Sequence, residues 1–391
     1  MKIGILTFHS QLNYGGVLQC WALVQTLKGM GHAVVVIDRW LTEDNWLLER
    51  GYDKWDVKQW SKFCLRALCG CGGFSLWLRH RRTKRFVKSL GLTPYHFYEW
   101  KDAPVDLGVD CLVVGSDQVW NPTWGHTRFY LLEGASIRKR IAYAASIGVG
   151  KLPDDEVDRY RRALLKFSAV SCRERDACRI CSELGVDAAH VVDPTLLVDP
   201  SVWSRLAPRC RKSVKRLVVY CLGEDMATAI PLLNCWSRRT GWRVDVLYGD
   251  GGPMFPMPRS ISGLFRLLLR LFTAVFLPSK RLRLLSGAGP REFVEIFANA
   301  DACITDSFHA VMFSSIYNLN LRFLRPKDGW RKPMFARIEE FCGAVIDGKS
   351  IVDDLNAALK SLDEDPAVSY RQDVILGRRD KSRQWLERAL A

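Results

Sequence analysis

Short apolar runs that end in polar residues and lead into a helical pattern recur along this chain. In the clearest example, residues 302–305 form a predicted buried strand, and apolar residues recur at helical spacing from Ala310 onward. Asp306, Ser307 and His309 therefore lie in the strand-to-helix turn. Such a turn borders the ligand crevice of a parallel α/β sheet, and the following helix N-terminus favours an anion. The pattern predicts that His309 faces a phosphate or carboxylate, although a lone histidine there is more often structural than catalytic.

The same alternation opens the chain. The pattern predicts a strand at residues 2–8, a loop at 13–16, a helix at 17–30 and a strand at 33–38, which together form a βαβ unit. Gly15 and Gly16 in the loop allow the backbone to approach a ligand closely. Their spacing is not that of a dinucleotide-binding fingerprint, so a nicotinamide or flavin cofactor is not expected.

Two sets of such units divide the chain, as expected for 391 residues, which exceed one ordinary core. Further strands are predicted at 111–114, 141–147, 169–172 and 190–192, and a second set begins at residue 217. We therefore predict an α/β protein with two Rossmann-like lobes. Its parts are an N-terminal lobe over 1–200, a polar hinge over 201–216, a C-terminal lobe over 217–368 and a terminal helix over 369–391.

Two insertions interrupt the alternation. The one at about residues 40–100 contains a basic run from Arg79 to Arg85, which is either a solvated helix face or a patch that meets acidic lipid. The one at 251–286 contains an apolar stretch at 263–277 that is too short to cross a bilayer. Because arginines interrupt this stretch, it is either an amphipathic helix in the plane of a membrane or a helix packed between the lobes.

The formal charge of +15 indicates an anionic partner, which is nucleic acid, a phosphorylated substrate or an acidic membrane surface. No basic motif with interleaved aromatic residues is evident, so nucleic acid is not expected. The 13 cysteines lack the two matched pairs of a structural zinc site. We expect reduced, mostly buried thiols and no metal. The apolar run at 2–8 is too short for a secretory signal, so a cytoplasmic protein is expected.

Four segments carry a more specific signature. They are Asn13-Tyr-Gly-Gly-Val-Leu-Gln19, Gly115-Ser-Asp-Gln-Val-Trp-Asn121, Ser171-Cys-Arg-Glu-Arg175 and Thr305-Asp-Ser-Phe-His-Ala310. In this order they resemble the polysaccharide pyruvyl transferase family over roughly residues 1–325. The resemblance implies a GT-B-like architecture. It also implies transfer of the enolpyruvyl unit of phosphoenolpyruvate onto two sugar hydroxyls, with a cyclic ketal and phosphate as products and with no cofactor or metal.

The resemblance also suggests roles for individual residues. His309 matches the family's histidine and is the candidate general acid, and Arg173 is the candidate anion clamp, with a surface pair to Glu174 or Asp176 as its structural alternative. Some relatives carry an arginine at the position of Ser307, so the second anion contact is left to Arg322, Arg325 or Lys327. Ser307 itself is also a candidate substrate-binding residue, and those on the acceptor side are Asn13, Gly15, Gln19, Ser116, Asp117 and Asn121.

Two other functions remain open at this point. A GT-B sugar-nucleotide glycosyltransferase of surface polysaccharide synthesis shares the two-lobe plan, and a basic protein without catalytic activity would explain the charge alone. If the acceptor sugar is carried on a lipid, the two insertions predict a peripheral protein at the inner face of the cytoplasmic membrane, bound to anionic lipid.

Overall fold

The computed structural model describes residues 1–9, 12–39, 73–97, 99–104, 106–210, 213–223, 226–247, 281–326 and 332–391. The predicted apolar stretch at 263–277, Lys327 and most of the first insertion lie outside these residues. No helix in the described part of the chain combines the length and apolar character needed to cross a membrane.

The first lobe is built on a seven-stranded sheet. Its strands are β1 (Lys2–Leu6), β2 (Ala33–Arg39), β3 (Leu92–Phe97), β4 (Cys111–Val114), β5 (Lys139–Ala145), β6 (Ala169–Cys172) and β7 (Ala188–His190). All neighbours are parallel, and the order is β3-β2-β1-β4-β5-β6-β7. The order reverses between β1 and β4, so the carboxyl ends of these strands border the ligand crevice.

The second lobe repeats this plan with six parallel strands. They are β8 (Arg216–Tyr220), β9 (Arg243–Leu247), β10 (Leu282–Leu284), β11 (Ala302–Thr305), β12 (Asn320–Leu324) and β14 (Ile351–Val352). Their order is β10-β9-β8-β11-β12-β14, with the reversal between β8 and β11. A separate antiparallel pair joins β13 (Ile346–Asp347) to β15 (Ser369–Tyr370). The predicted α/β class with two Rossmann-like lobes in a GT-B-like arrangement is confirmed.

Helices cover the sheets, which is why strands such as β4 and β11 are buried along their whole length. The helices are α1 (Tyr14–Gly29), α2 (Gly73–Lys88), α3 (Thr127–Tyr130), α4 (Val157–Leu164), α5 (Arg175–Glu183), α6 (Pro194–Leu197), α7 (Pro200–Leu206), α8 (Met226–Thr240), α9 (Pro290–Ala298), α10 (Phe308–Tyr317), α11 (Lys332–Val345), α12 (Leu355–Glu364) and α13 (Gln372–Leu390). Helix α1 begins three residues before its predicted start because the Asn13 side chain accepts hydrogen bonds from the Gly15 and Gly16 N–H groups.

The two lobes share an apolar core. The Tyr14 ring of the first lobe stacks on Phe293 of the second with a centroid distance of 4.6 Å, and its hydroxyl donates to the Ala288 carbonyl at 2.7 Å. The terminal helix α13 belongs to the first lobe, where Leu386 and Leu390 are buried in its core. Packing between the two lobes thus holds their crevices opposite each other.

The basic run of the first insertion lies on α2, and part of it faces inward. Arg79 is buried and donates to the Leu12 carbonyl at 2.6 Å, and Arg82 donates to the Gly287 carbonyl at 2.8 Å and pairs with Glu292 at 3.1 Å. For Arg79 the predicted solvated or lipid-facing position is wrong, because its side chain is buried against a neighbouring loop. Arg82 is 37% exposed and contacts the segment before α9. Arg81, Lys84 and Arg85 are exposed.

Candidate functional site

The site lies where the crevices of the two sheets meet. Gly15 follows β1, and His309 follows β11 in the first turn of α10. They are so close that a Cβ atom on Gly15 would lie 2.0 Å from His309 Nδ1. Glycine is therefore required at position 15 for this close approach, and His309 sits between the lobes as predicted from its turn.

The Nε2 atom of His309 faces the carboxylate of Asp193, a residue outside the four motif segments. His309 Nε2 lies 3.7 Å from Asp193 Oδ2, and the His309 side chain is 10% exposed while that of Asp193 is fully buried. Nε2 has no hydrogen-bond partner among the described residues. The imidazole of His309 therefore faces a buried carboxylate at the place where the two lobes meet.

Asp193 is held from several directions. Its Oδ1 accepts hydrogen bonds from the Thr195 N–H at 2.9 Å and the Thr195 hydroxyl at 2.7 Å, and Ser116 Oγ donates to its Oδ2 at 3.4 Å. Burial alone raises the pKa of Asp193, but nearby His309 and Arg173 and the Thr195 N–H lower it below its ordinary value. Asp193 therefore carries a negative charge beside His309.

Arg173 follows β6 and is enclosed by carboxylates. Its Nη1 donates to Asp193 at 3.0 Å and its Nη2 to Asp117 at 3.3 Å, and its side chain is 1% exposed. Glu174 lies 4.0 Å from its Nε. Burial alone lowers the pKa of Arg173, but these three acids raise it. Arg173 is thus buried and paired with several carboxylates, rather than part of a surface ion pair. To bind a substrate anion, it would have to exchange one of these partners.

A second arginine completes the cluster. The guanidinium groups of Arg173 and Arg337 lie over the Phe308 ring, at 4.5 and 4.9 Å from its centroid, and Phe308 contacts His309 edge-on at 5.3 Å. Arg337 is on α11, outside every motif that the sequence analysis selected. The sequence marks it only as an arginine on the helix between β12 and β14.

Several predicted substrate-binding residues instead build the crevice wall. Gln19 is fully buried, and its amide donates to the Thr7 hydroxyl and the Gly16 carbonyl, both at 2.8 Å, while its oxygen accepts from the Ser116 N–H at 3.1 Å. Ser116 is also fully buried and donates to the Ala144 carbonyl at 2.8 Å. The prediction that these two side chains contact substrate is wrong, because their polar atoms are used within the protein.

The other first-lobe candidates are placed as follows. Asn121 is buried, donates to Gln118 at 2.7 Å and accepts from the Thr123 N–H at 3.0 Å, so it holds a turn rather than a ligand. Asn13 uses its oxygen to cap α1. Asp117 has a left-handed backbone, with φ of 71°, and its carboxylate is the one that meets Arg173. Of these three, Asp117 alone joins the cluster around His309.

Two of the three residues predicted to supply the second anion contact, Arg322 and Arg325, lie in the described part of the chain. Arg322 is fully buried and donates to Ser361 Oγ at 2.6 Å and Asn320 at 2.7 Å, which makes it a structural residue. Arg325 pairs with exposed Asp353 at 2.9 Å. Ser307 is the residue before α10 and is buried near His309, but its side chain does not cap the helix.

Substitution of Gly15 by alanine tests the contact between the lobes. The new methyl group overlaps the imidazole, so we expect a loss of about 1 to 3 kcal/mol in the free energy of unfolding. Gly29→Ala is the control, because it is on the same helix and a Cβ there meets nothing within 4 Å. We expect Gly29→Ala to be neutral or stabilising. Equal stability of the two variants in denaturant titrations would contradict the close contact.

Comparison with solved structures bears on the fold. The chain superposes on the UDP-GlcNAc 2-epimerase from Methanocaldococcus jannaschii with a TM-score of 0.50 and 12% identity, covering 100% of this chain and 99% of that one. For the UDP-GlcNAc 2-epimerase from Neisseria meningitidis bound to UDP-GlcNAc, the TM-score is 0.49 and the identity 10%, with 100% and 99% covered. At 12% identity the first likeness shows the fold alone.

Sequence comparison is more specific. No curated protein sequence matches this chain. A model of the polysaccharide pyruvyl transferase family matches residues 13–325, a range that includes Gly15, Asp117, Arg173, Asp193 and His309. Because this match extends over most of the chain and the site lies within it, the chain belongs to the polysaccharide pyruvyl transferase family.

Proposed function

We propose that this protein transfers the enolpyruvyl group of phosphoenolpyruvate onto two hydroxyls of a sugar in a polysaccharide precursor, with His309 as the general acid. The observation that carries the proposal is His309 at the meeting point of the two crevices, 3.7 Å from the buried carboxylate of Asp193. Family membership supplies the reaction class, a transferase acting on a polysaccharide sugar. The donor and the form of the product are our inference.

The proposed chemistry uses one proton at a defined atom. Protonated His309 delivers its proton to the methylene carbon of phosphoenolpyruvate, which becomes a methyl group, and an oxocarbenium-like centre forms at the neighbouring carbon. One sugar hydroxyl attacks this centre. The second hydroxyl then displaces phosphate and closes the cyclic ketal. Of the two hydroxyl protons, one restores His309 and the other leaves with phosphate.

Asp193 supports this role as a positioning residue. Its negative charge lies beside the imidazole of His309, and Arg173, Thr195 and Ser116 fix the carboxylate in place. Preorganised charge in a site with little water is more effective than the same charge in solution. The proposed scheme therefore uses His309 as the acid and includes no metal or cofactor.

The activity can be tested against the alternative function in one assay. Purified protein is supplied with phosphoenolpyruvate and a set of lipid-linked saccharides, and phosphate release and ketal formation are followed by mass spectrometry. A parallel arm supplies sugar nucleotides. Phosphate release with a pyruvate ketal supports the proposal, whereas glycosyl transfer from a sugar nucleotide without use of phosphoenolpyruvate supports a GT-B glycosyltransferase and contradicts it.

The proposed acceptor is carried on a lipid, which places the enzyme at the inner face of the cytoplasmic membrane. Arg81, Lys84 and Arg85 on the outer face of α2 are exposed and suit an anionic surface. Each contributes about 1 kcal/mol near anionic lipid at low salt. Replacing all three with serine is therefore expected to weaken binding to phosphatidylserine-containing vesicles by on the order of 10²-fold.

The matched control removes the same charge from the other face of the first lobe. Arg161, Arg162 and Lys166 are exposed on or just after α4, which packs against the opposite side of the sheet from α2. Serine at these three positions should leave vesicle binding almost unchanged. Co-sedimentation at low and high salt measures both variants, and equal weakening by the two triplets would contradict a lipid-facing α2.

A further inference from the structure

A cavity of about 160 Å³ lies behind the His309 cluster. Three parts of the fold enclose it: the carboxyl ends of β6 and β7, helices α10 and α11, and the terminal helix α13. Drug-sized ligands usually occupy 300–1,000 Å³, so this volume suits a small molecule better than a sugar nucleotide. Helices α11 and α13 lie beyond the residues that the family model matches.

The charges around the cavity are not balanced. Its lining contains five cationic side chains and two carboxylates: Arg173, Arg175, Arg337, Arg378 and Lys381 with Asp193 and Glu340. Asp193 pairs with Arg173 at 3.0 Å and Glu340 with Arg175 at 2.7 Å. Three cations therefore remain for which the described residues provide no ion pair, and a small anion in the cavity would neutralise them.

Arg337 is the cation that gains most from such an anion. Its Nη1 donates only to the Ser146 hydroxyl, at 3.3 Å, and its buried Nε has no hydrogen-bond partner among the described residues. Burial and the nearby charge of Arg173 lower the pKa of Arg337 to about 10, although the charges of Glu174, Asp117 and Asp193 partly oppose this, so Arg337 stays charged at neutral pH. Arg173, in contrast, already forms ion pairs with Asp117 and Asp193.

We propose that this cavity binds the anionic end of a small phosphorylated carboxylic acid, with Arg337 contacting the anion and Arg378 and Lys381 guiding it at the opening. This inference rests on the proposed function and assigns the second anion contact that the sequence left to other residues. Asp193 and Phe308 line the cavity and also contact His309. An anionic group held there would thus lie next to two residues that contact His309.

Calorimetric titration tests the assignment with two probes, phosphoenolpyruvate and inorganic phosphate. Removing one charged hydrogen-bond partner costs about 1.5 to 3 kcal/mol, so Arg337→Met should weaken binding of phosphoenolpyruvate by about 10- to 100-fold. Arg337→Lys should weaken it less, because the charge remains without the planar fork. Arg388→Met is the control, since Arg388 is an exposed residue of α13 that does not line the cavity.

Circular dichroism establishes that each variant is folded before titration. Weakened binding in Arg337→Met with unchanged binding in Arg388→Met supports the site. If wild-type protein binds phosphoenolpyruvate and Arg337→Met binds it equally tightly, the cavity assignment is wrong and the proposed function survives. If wild-type protein binds phosphate through Arg337 but does not bind phosphoenolpyruvate, the site stands and the proposed donor is wrong. Binding of neither probe to wild-type protein overturns both.

Discussion

Replacing His309 with alanine is expected to lower pyruvyl transfer by about 10²-fold or more while the protein remains folded. The imidazole of His309 lies between Gly15 and Asp193. His190 lines the neighbouring cavity, where its Nε2 is hydrogen-bonded to the Arg173 carbonyl at 3.2 Å. Loss of the acid removes the proton that the methylene carbon must receive. The measurement is the rate of phosphate release from phosphoenolpyruvate in the presence of an acceptor.

His32→Ala serves as the control for this substitution. His32 follows α1 at the opposite end of that helix from Gly15, so its removal should leave turnover unchanged. A pH profile adds a second readout, because loss of a general acid removes the corresponding ionisation from the dependence of kcat on pH. Near-normal turnover in the His309→Ala variant would exclude this residue as the acid.

Replacing Arg173 with methionine is expected to destabilise the protein by about 3 to 5 kcal/mol. The substitution leaves Asp117 and Asp193 buried and close together without the guanidinium that bridges them at 3.3 and 3.0 Å. Uncompensated buried charge is one of the few single-site changes with so large an effect. Chemical denaturation of the variant measures the loss.

Arg179→Met on the following helix is the comparison for this effect. Arg179 is exposed and forms surface pairs with Asp176 and Glu183, which contribute about 1 kcal/mol or less. If Arg173→Met were no less stable than Arg179→Met, Arg173 would not be the hub of the acidic cluster. It would then be free to bind a substrate anion, as the motif alone suggests.

The sequence predicted the fold well where alternation was regular and missed elements where other forces act. The apolar runs at β1, β4 and β11 are unambiguous because such strands are buried on both faces. Strand β3 was missed because it contains Pro94 within a segment of irregular pattern. Proline is tolerated at that position because β3 is the edge strand of its sheet.

The site was predicted in part for a related reason. His309 and Arg173 could be placed at strand ends from local pattern, and Gly15 from its loop. Asp193 is 116 positions from His309 in the sequence, and only the packing of the two lobes brings the carboxylate within 3.7 Å of the imidazole. Local pattern also cannot separate polar side chains that bind ligands from those, such as Gln19, that satisfy buried backbone groups.

The most direct test of the account is the crystal structure of the protein soaked with phosphoenolpyruvate. We expect ordered density between the lobes, with the methylene carbon about 3 to 3.5 Å from a ring nitrogen of His309, the separation of a reactive arrangement. The carboxylate or phosphate is predicted to contact Arg337. Phosphoenolpyruvate bound at another surface, with its methylene carbon out of reach of His309, would contradict the assignment of this histidine as the general acid.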